Sequence, residues 1–194
     1  MKALIGNGGH AREVIAQMNL KTMIRFVDDE YWDNSDSNVK PLSEFDPNKY
    51  TIMIAVGDSE DRKKIFDKLP KETKFFTFIH PSAQIFGQDF KVGEGSFIGA
   101  NSMITCNVNI GKHAILNRGV QIGHDSKIGD FFSAMPGSIV SGNVEIGNYV
   151  YLGSNSVIKE KVSIKDNITV GALACLVKDA IKSGIYVGVP AKIK

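Results

Sequence analysis

The second half of the chain places an aliphatic residue, or once an alanine, at every sixth position through fifteen consecutive hexads. A small or β-branched residue stands two positions earlier in most hexads, and a glycine often follows. This period is typical of a parallel β-helix in which each hexad forms one short strand and one turn. We therefore predict that the repeating residues point into the axis and that the glycines supply the positive φ of the turns. The repeating residues are Val92, Ile98, Ile104, Ile110, Leu116, Ile122, Ile128, Ala134, Val140, Ile146, Leu152, Ile158, Ile164, Val170 and Leu176.

The first eighty residues alternate between strand and helix patterns. Helical periodicity begins at Ala11, and residues 58–69 predict a charged amphipathic helix. Together with the strands, these helices predict a small parallel α/β sheet. Because His80 and Pro81 close this pattern, we predict a Rossmann-like domain over residues 1–80 and a β-helix over residues 81–194. Apolar runs predict the strands at residues 2–5, 22–27, 51–56 and 74–79.

A glycine-rich turn joins the first strand to the first helix. Gly6, Gly8 and Ala11 match the nucleotide-binding pattern G-x-G-x-x-G/A, and Asp28 and Asp29 follow at the distance of a ribose-binding carboxylate. The glycines allow phosphates to approach the backbone, and the helix amino terminus supplies N–H donors. The domain has room for about one mononucleotide half, so a nucleotide with a compact head group is expected rather than NAD. The alternative is that the glycines only form a tight turn.

The composition is that of a globular protein, with 43% hydrophobic residues, 23% charged residues and a formal net charge of +2. So small a charge gives no reason to expect a nucleic acid or a membrane as a partner. No apolar run approaches the roughly 18 residues of a membrane span, and no signal-peptide pattern occurs, so we expect a cytoplasmic protein. Cys106 and Cys175 lack metal-binding spacing, and we expect buried free thiols and no metal.

Histidines are the candidate acid–base groups of the chain. His124 precedes Asp125 in a turn, where a histidine can act as a general base and a carboxylate can orient it. His113 occupies a different place in the hexad and is expected to face solvent. His10 begins the first helix, where it is either a phosphate donor or a surface histidine without a specific role.

Four features follow one another along the chain: GNGGHAREV, the hexads, GHDSKIGDF and GVPAK. With them the chain resembles the bacterial sugar acetyltransferases, a family that includes sialic-acid O-acetyltransferases and N-acetyltransferases of nucleotide-linked 4-amino-4,6-dideoxysugars. The resemblance covers essentially all 194 residues. It implies a left-handed β-helix and a homotrimer, with acetyl-CoA between neighbouring helices and a sugar nucleotide on the first domain.

The resemblance also implies roles for individual residues. His124 matches the general base, Asp125 its acidic partner, and the N–H of Gly142 is expected to stabilise the oxyanion. Ser133 stands where many relatives have a second histidine, which puts CoA contacts in doubt more than catalysis. The positions that match substrate contacts are Gly8, Gly9, His10, Asp28, Asp29 and Asn117. The residues expected on the CoA side are Ser133, Gly142, Gly153, Gly171, Pro190 and Lys192.

We therefore expect direct acetyl transfer from acetyl-CoA to the 4-amino group of a nucleotide-linked 4-amino-4,6-dideoxysugar, in the synthesis of a surface polysaccharide or another glycan precursor. UDP, dTDP and GDP all stay open as the carrier. One alternative is O-acetylation of a sialic acid. A γ-type carbonic anhydrase is another, and its three zinc ligands would have to be His80, His113 and His124. A non-catalytic scaffold that binds a sugar nucleotide is the last.

Overall fold

The computed structural model describes all residues 1–194, and its amino-terminal part is a parallel sheet between two helices. The strand order is β3-β2-β1-β4-β5, so the order reverses between β1 and β4 and opens a crevice at their carboxyl ends. The strand β3 was not predicted, because its three residues carry no distinct pattern. The strands are β1 Lys2–Ile5, β2 Arg25–Val27, β3 Val39–Pro41, β4 Thr51–Ile54 and β5 Lys74–Phe75, the helices are α1 Gly9–Gln17 and α2 Ser59–Lys68, and two 3-10 turns span Asp29–Tyr31 and Leu42–Glu44.

The rest of the chain winds as a β-helix whose coils each visit three faces, and strands 18 residues apart pair in parallel. The first face contains Phe78–Ile79, Phe97–Ile98, Ile115–Leu116, Ser133–Ala134, Tyr151–Leu152, Ile168–Val170, Gly184–Gly188 and Ala191–Ile193. The second face contains Gln84–Ile85, Met103–Ile104, Gln121–Ile122, Ile139–Val140, Val157–Ile158 and Cys175–Leu176. The third face contains Lys91–Val92, Asn109–Ile110, Lys127–Ile128, Glu145–Ile146 and Ser163–Ile164.

The hexad prediction is confirmed along the axis. Every repeating residue from Ile98 to Leu176 is buried, and Val92, in one of the first coils, is partly buried against the same core. Burying an aliphatic side chain stabilises a fold by about 1.5–3 kcal/mol, so these positions together hold the coils in register.

The predicted role of the hexad glycines was wrong. The left-handed conformation belongs to the third residue of most corners, as in Asn107 (φ 54°), Asp125 (φ 60°) and Asn143 (φ 57°). The glycines that follow the aliphatic residues serve close stacking instead. A Cβ on Gly111 would lie 2.6 Å from the carbonyl carbon of Gly129 in the next coil.

The first domain packs on the first face. Phe97 and Ile115 share a core with α1 of the first domain, and the side-chain oxygen of Gln17 accepts the Ala100 N–H at 2.7 Å. The strand Phe78–Ile79 already pairs with Phe97–Ile98, so the first coil begins directly after the five-stranded sheet. The division at residue 80 stays a prediction.

The three corners of the helix are named by the faces they join. The first corner joins the first and second faces, the second corner joins the second and third, and the third corner returns to the first face. Cys106 lies exposed on the second corner and Cys175 is partly buried on the second face, so the expectation of two buried thiols was wrong. Neither helix of the structure has the length and apolar character needed to span a membrane.

Candidate functional site

A cleft of about 660 Å³ opens at the carboxyl ends of β1, β2 and β4. The glycine turn forms one wall, and Gly6 adopts φ +113°, where a Cβ would lie 2.9 Å from the carbonyl oxygen of Ala55. Only glycine fits this position, and the turn leaves the amino terminus of α1 open to a ligand. The cleft is lined by Ile5, Gly6, Asn7, Gly8, Val27, Asp28, Tyr31, Val56, Asp61, Lys64, Ile65 and Lys68.

Charged side chains of opposite sign face one another across this cleft. Asp28, at the end of β2, accepts a hydrogen bond of 3.1 Å from Nζ of Lys68 on α2. Lys64 pairs with Asp61 at 2.9 Å on the same helix. Tyr31 is 73% exposed at the rim. The cleft therefore offers two carboxylates, two ammonium groups and an aromatic ring around an apolar floor.

Asp29 and His10 were expected to contact the nucleotide, but each of them contacts other parts of the chain. The carboxylate of Asp29 accepts the backbone N–H of Ser43 at 3.0 Å, which holds the pKa of Asp29 below its usual value. His10 is largely buried edge-on against Phe97, and this burial lowers its pKa to about 4. Asp29 thus stabilises a turn and His10 lies at the domain junction. Neither lines the cleft, whereas Gly8 and Asp28 do.

His124 lies on the second corner with its ring half-exposed. Its Nδ1 is 2.7 Å from Oδ2 of Asp125. Neighbours in a strand point to opposite sides, but the left-handed backbone of Asp125 turns its carboxylate back onto the preceding ring. Hydrogen bonds from His124 and then from Asn107 hold the pKa of Asp125 below its usual value. This contact orients the imidazole ring: Nδ1 is directed at the carboxylate of Asp125, and Nε2 lies on the opposite edge of the ring.

Gly142 lies next to His124, one coil further along the same corner. A Cβ at this position would lie 2.5 Å from Nε2 of His124, so the ring occupies the space that only a glycine leaves open. The N–H of Gly142 donates no hydrogen bond within the chain. The corner therefore combines an imidazole, a carboxylate hydrogen-bonded to it and a backbone N–H that makes no hydrogen bond within the chain.

Ser133 lies in the domain junction, although it was expected beside CoA. Its side chain is fully buried, donates to the Gly57 carbonyl oxygen at 2.8 Å and accepts from Nη2 of Arg62 at 2.9 Å. Sequence reasoning missed Arg62, which is fully buried between the domains. Nothing in the charged pattern of its helix distinguishes it from the exposed lysines that follow.

The remaining expected residues lie on other parts of the chain. Asn117 is buried on the first corner, where its amide is 3.3 Å from Glu13 of α1. Gly153 and Gly171 occupy the same corner in later coils. Pro190 and Lys192 belong to the hairpin that ends the first face, and Lys192 is exposed. Within one chain, only His124, Asp125 and Gly142 of the expected set lie together on the second corner.

The three histidines of the carbonic anhydrase hypothesis lie on three different corners. His80 is on the first corner and bonds Ser82 at 2.8 Å. His113 is only 1% exposed on the third corner, enclosed by Phe66, Phe75 and Phe131, so the expectation of a solvent-facing ring was wrong. A ring enclosed by apolar neighbours offers no access to a metal, and this arrangement disfavours the hypothesis.

The contacts between the first domain and the β-helix lie on the first face and on its two corners. The first domain covers the first face through Phe97 and Ile115 and reaches both of its corners, through Gln17 on one and Arg62 on the other. The second corner joins the two faces that this domain does not cover. His124 therefore lies away from the contacts between the two domains.

Two family models match the chain. Residues 77–189 match the model described as the GMPPB C-terminal domain, and residues 3–69 match the PglD N-terminal domain. The GDP-perosamine N-acetyltransferase of Escherichia coli O157:H7 is 26% identical over 115 residues, which are 59% of this chain and 52% of the relative. By this match, the chain spans about half the length of the curated relative.

Two solved structures have the same fold over the whole chain. PerB from Caulobacter crescentus, solved in complex with CoA and GDP-perosamine, is 28% identical with a TM-score of 0.88, over 100% of this chain and 96% of that one. WeeI from Acinetobacter baumannii AYE is 24% identical with a TM-score of 0.88, over 100% and 99% of the two chains. The likeness to WeeI concerns the fold alone.

Proposed function

The chain belongs to the GMPPB C-terminal domain family and also matches the PglD N-terminal domain, and from this premise we propose that it is a nucleotide-aminosugar N-acetyltransferase, which transfers the acetyl group of acetyl-CoA to a nucleotide-linked 4-amino-4,6-dideoxysugar. The relatives named for GDP-perosamine make a GDP-linked sugar the first candidate acceptor. The product is an activated sugar for glycan synthesis. Since acetyl-CoA is an intracellular metabolite, we expect the reaction in the cytoplasm.

The arrangement of His124, Asp125 and Gly142 is the observation that carries this proposal. With the Nδ1 proton donated to Asp125, Nε2 of His124 has a free lone pair. It accepts a proton from the amino group as the nitrogen attacks the thioester carbonyl, and a positioned base contributes on the order of 10²–10⁴ in rate. The free N–H of Gly142 stabilises the tetrahedral oxyanion, and its collapse releases the thiolate of CoA.

The position of the interdomain contacts supports an assembly of several chains. Because the first domain contacts the first face and not the second corner, we infer that a sugar nucleotide held by the cleft of one chain meets His124 of another chain. The second face, which the first domain leaves uncovered, carries Met103, Ile139 and Val157 outward. A cyclic homotrimer would bury this face and bring the second corner of one chain beside the first domain of its neighbour.

In such a homotrimer, the residues expected on the CoA side would come together between neighbouring chains. Gly142 lies on the second corner, whereas Gly153 and Gly171 lie on the first corner. In a trimer these two corners of neighbouring chains border one groove. We propose that CoA lies in this groove, with the hairpin that contains Pro190 and Lys192 at its far end.

The proposed function is tested by the release of CoA thiol from acetyl-CoA. The acceptors are GDP-, dTDP- and UDP-linked 4-amino-4,6-dideoxysugars and free sialic acid. We expect turnover with a nucleotide amino sugar, and a His124→Ala variant that binds nucleotide normally but loses about 10²–10⁴ in kcat. Turnover with sialic acid alone would favour the O-acetyltransferase alternative. If the wild type and the His124→Ala variant both bind a nucleotide amino sugar without turnover, the non-catalytic scaffold alternative would be favoured.

A further inference from the structure

We propose that Asn107 is a positioning residue for the catalytic base, the third member of a hydrogen-bonded series Asn107–Asp125–His124. This inference rests on the proposed function insofar as His124 is the base. Asn107 precedes Asp125 by 18 residues and therefore lies directly beside it, one coil earlier on the second corner. Neither the nucleotide pattern nor the histidine motif of the sequence draws attention to it.

The geometry engages both oxygens of one carboxylate. Nδ2 of Asn107 donates to Oδ1 of Asp125 at 2.7 Å, while Oδ2 of Asp125 is 2.7 Å from Nδ1 of His124. A carboxylate held at both oxygens cannot rotate freely about its Cβ–Cγ bond. Its second oxygen therefore stays directed at the imidazole.

Asn107 is itself held by the preceding coil. Its backbone N–H donates to Oδ1 of Asp89 at 2.8 Å, and its φ of 54° fits the left-handed corner that asparagine tolerates. The N–H of Asp125 in turn donates to the carbonyl oxygen of Cys106 at 3.1 Å. Asp89, Asn107 and Asp125 thus form a row in which each member fixes the next.

The chemistry of the amide explains why an asparagine suits this place. An amide NH2 group only donates, so it favours the ionised form of Asp125, and it is among the groups that lower the pKa of that carboxylate. An ionised Asp125 requires a proton on Nδ1 of the neutral ring, which leaves Nε2 as the basic atom beside Gly142. Because Asp125 is open to solvent, water would compete for Oδ1 without this amide.

The test uses two substitutions that fit the left-handed corner. Asn107→Gly removes the side chain, and Asn107→Asp keeps its shape but replaces the donor with a second carboxylate. Asn167→Gly is the matched control, since Asn167 has φ 58° on the third corner and its side chain donates no hydrogen bond. The other ionisable groups of the second corner are Asp89, Cys106, Glu160 with its partner Lys159 and with Lys161 in the coil after Gly142, and Lys178 and Asp179 in the last coil.

The kinetic readout separates positioning from substrate binding. We expect Asn107→Gly to lower kcat about tenfold, with KM for acetyl-CoA and for the amino sugar within about twofold of wild type. Asn107→Asp adds a negative charge beside the base, so the acidic limb of the kcat profile moves to higher pH by about one unit. Asn167→Gly keeps the wild-type kcat. A kcat unchanged in Asn107→Gly, or lowered equally in Asn167→Gly, overturns the proposal.

A second readout needs no substrate. Nitrogen-15 NMR of the imidazole distinguishes the Nδ1–H from the Nε2–H tautomer, and a His124→Gln variant assigns the signal. We expect neutral His124 of the wild type in the Nδ1–H form and a mixture in Asn107→Gly. Equal tautomer populations in both proteins overturn the proposal. If the wild type acetylates no amino sugar, the proposed function fails, while this measurement still decides the role of Asn107.

Discussion

Arg62 of the first domain donates from Nε to the carbonyl oxygen of His113 on the β-helix at 2.9 Å. Its Nη1 donates to the loop after β4 at Val56 and Gly57, and its Nη2 to the carbonyl oxygen of Phe131. Burial lowers the pKa of Arg62 to about 9, which leaves the guanidinium charged at neutral pH. One buried cation thus joins a loop of the first domain to two coils of the helix.

Removing this cation should strongly destabilise the protein. Arg62→Met leaves the buried carbonyl oxygens at the junction without donors, and we expect the free energy of unfolding to fall by about 3–5 kcal/mol. Arg62→Lys should recover only part of this loss, because an ammonium group cannot reach both domains with the same fork of donors. Urea unfolding followed by circular dichroism measures the difference.

The neighbouring lysine is the control for this substitution. Lys63 lies on the exposed side of α2, where it pairs with Asp67. Exposed pairs of this kind contribute little, so Lys63→Met should leave the free energy of unfolding nearly unchanged. Equal stabilities of Arg62→Met and Lys63→Met would contradict a structural role for the guanidinium.

Two buried histidines should make the protein sensitive to mild acid. Burial, and secondarily the charge of Arg62, lowers the pKa of His10 and of His113 from 6.5 to about 4. At a pH between 4 and 6.5, these two histidines are protonated in the unfolded chain but stay neutral in the folded chain. The free energy of unfolding therefore falls as the pH drops through this window, by about 2 kcal/mol for each histidine between pH 7.5 and 5.

The contribution of His113 can be isolated with an aromatic replacement. His113→Phe keeps a flat ring among Phe66, Phe75 and Phe131 but removes the titrating group. Unfolding by urea at pH 7.5 and at pH 5 should show the variant losing about 2 kcal/mol less than the wild type over this interval. The same loss in both proteins would show that His113 does not titrate in this range.

The sequence was sufficient for the architecture and for the contact between His124 and Asp125. The hexad register placed Ile98, Ile104 and the later repeating residues on the axis, because each of them meets its neighbours only in adjacent coils. His124 and Asp125 were also found, since the two residues that meet are adjacent in the chain. Contacts that follow directly from the repeat, or that join residues adjacent in the chain, can therefore be predicted from a single sequence.

Features that depend on docking were not found. Ser133 and His113 occupy ordinary hexad positions, and only the packing of α2 against the third corner buries them. Arg62 belongs to a helix rich in charged residues, and its sequence neighbours give no sign that its side chain is buried. Asn107 contacts Asp125 only because one coil contains 18 residues, and that relation requires the corner geometry as well as the repeat.

Asp28 and Asp29 should differ in their effect on nucleotide binding. Asp28 lines the cleft and pairs with Lys68, whereas Asp29 is engaged with Ser43 outside it. We expect Asp28→Ala to weaken binding of GDP about tenfold or more, as for a lost hydrogen bond to a charged group. Asp29→Ala should leave the affinity within about twofold and lower thermal stability instead. Isothermal titration calorimetry with GDP measures the two affinities. Equal losses of affinity in both variants would show that Asp28 makes no specific contact with the ribose.

Gly142 should tolerate no side chain without a loss of rate. A Cβ there would lie 2.5 Å from Nε2 of His124, so Gly142→Ala has to displace the imidazole while the fold of the corner is kept. Displacement of a base by about 1 Å costs on the order of 100-fold in rate, and we expect that loss in kcat, measured by thiol release. Gly57→Ala is the control, because no atom lies within 4 Å of its Cβ and its carbonyl bonds at the junction use the backbone only. If Gly142→Ala retained the wild-type kcat with normal stability, the proton would have to be accepted by an atom other than Nε2 of His124.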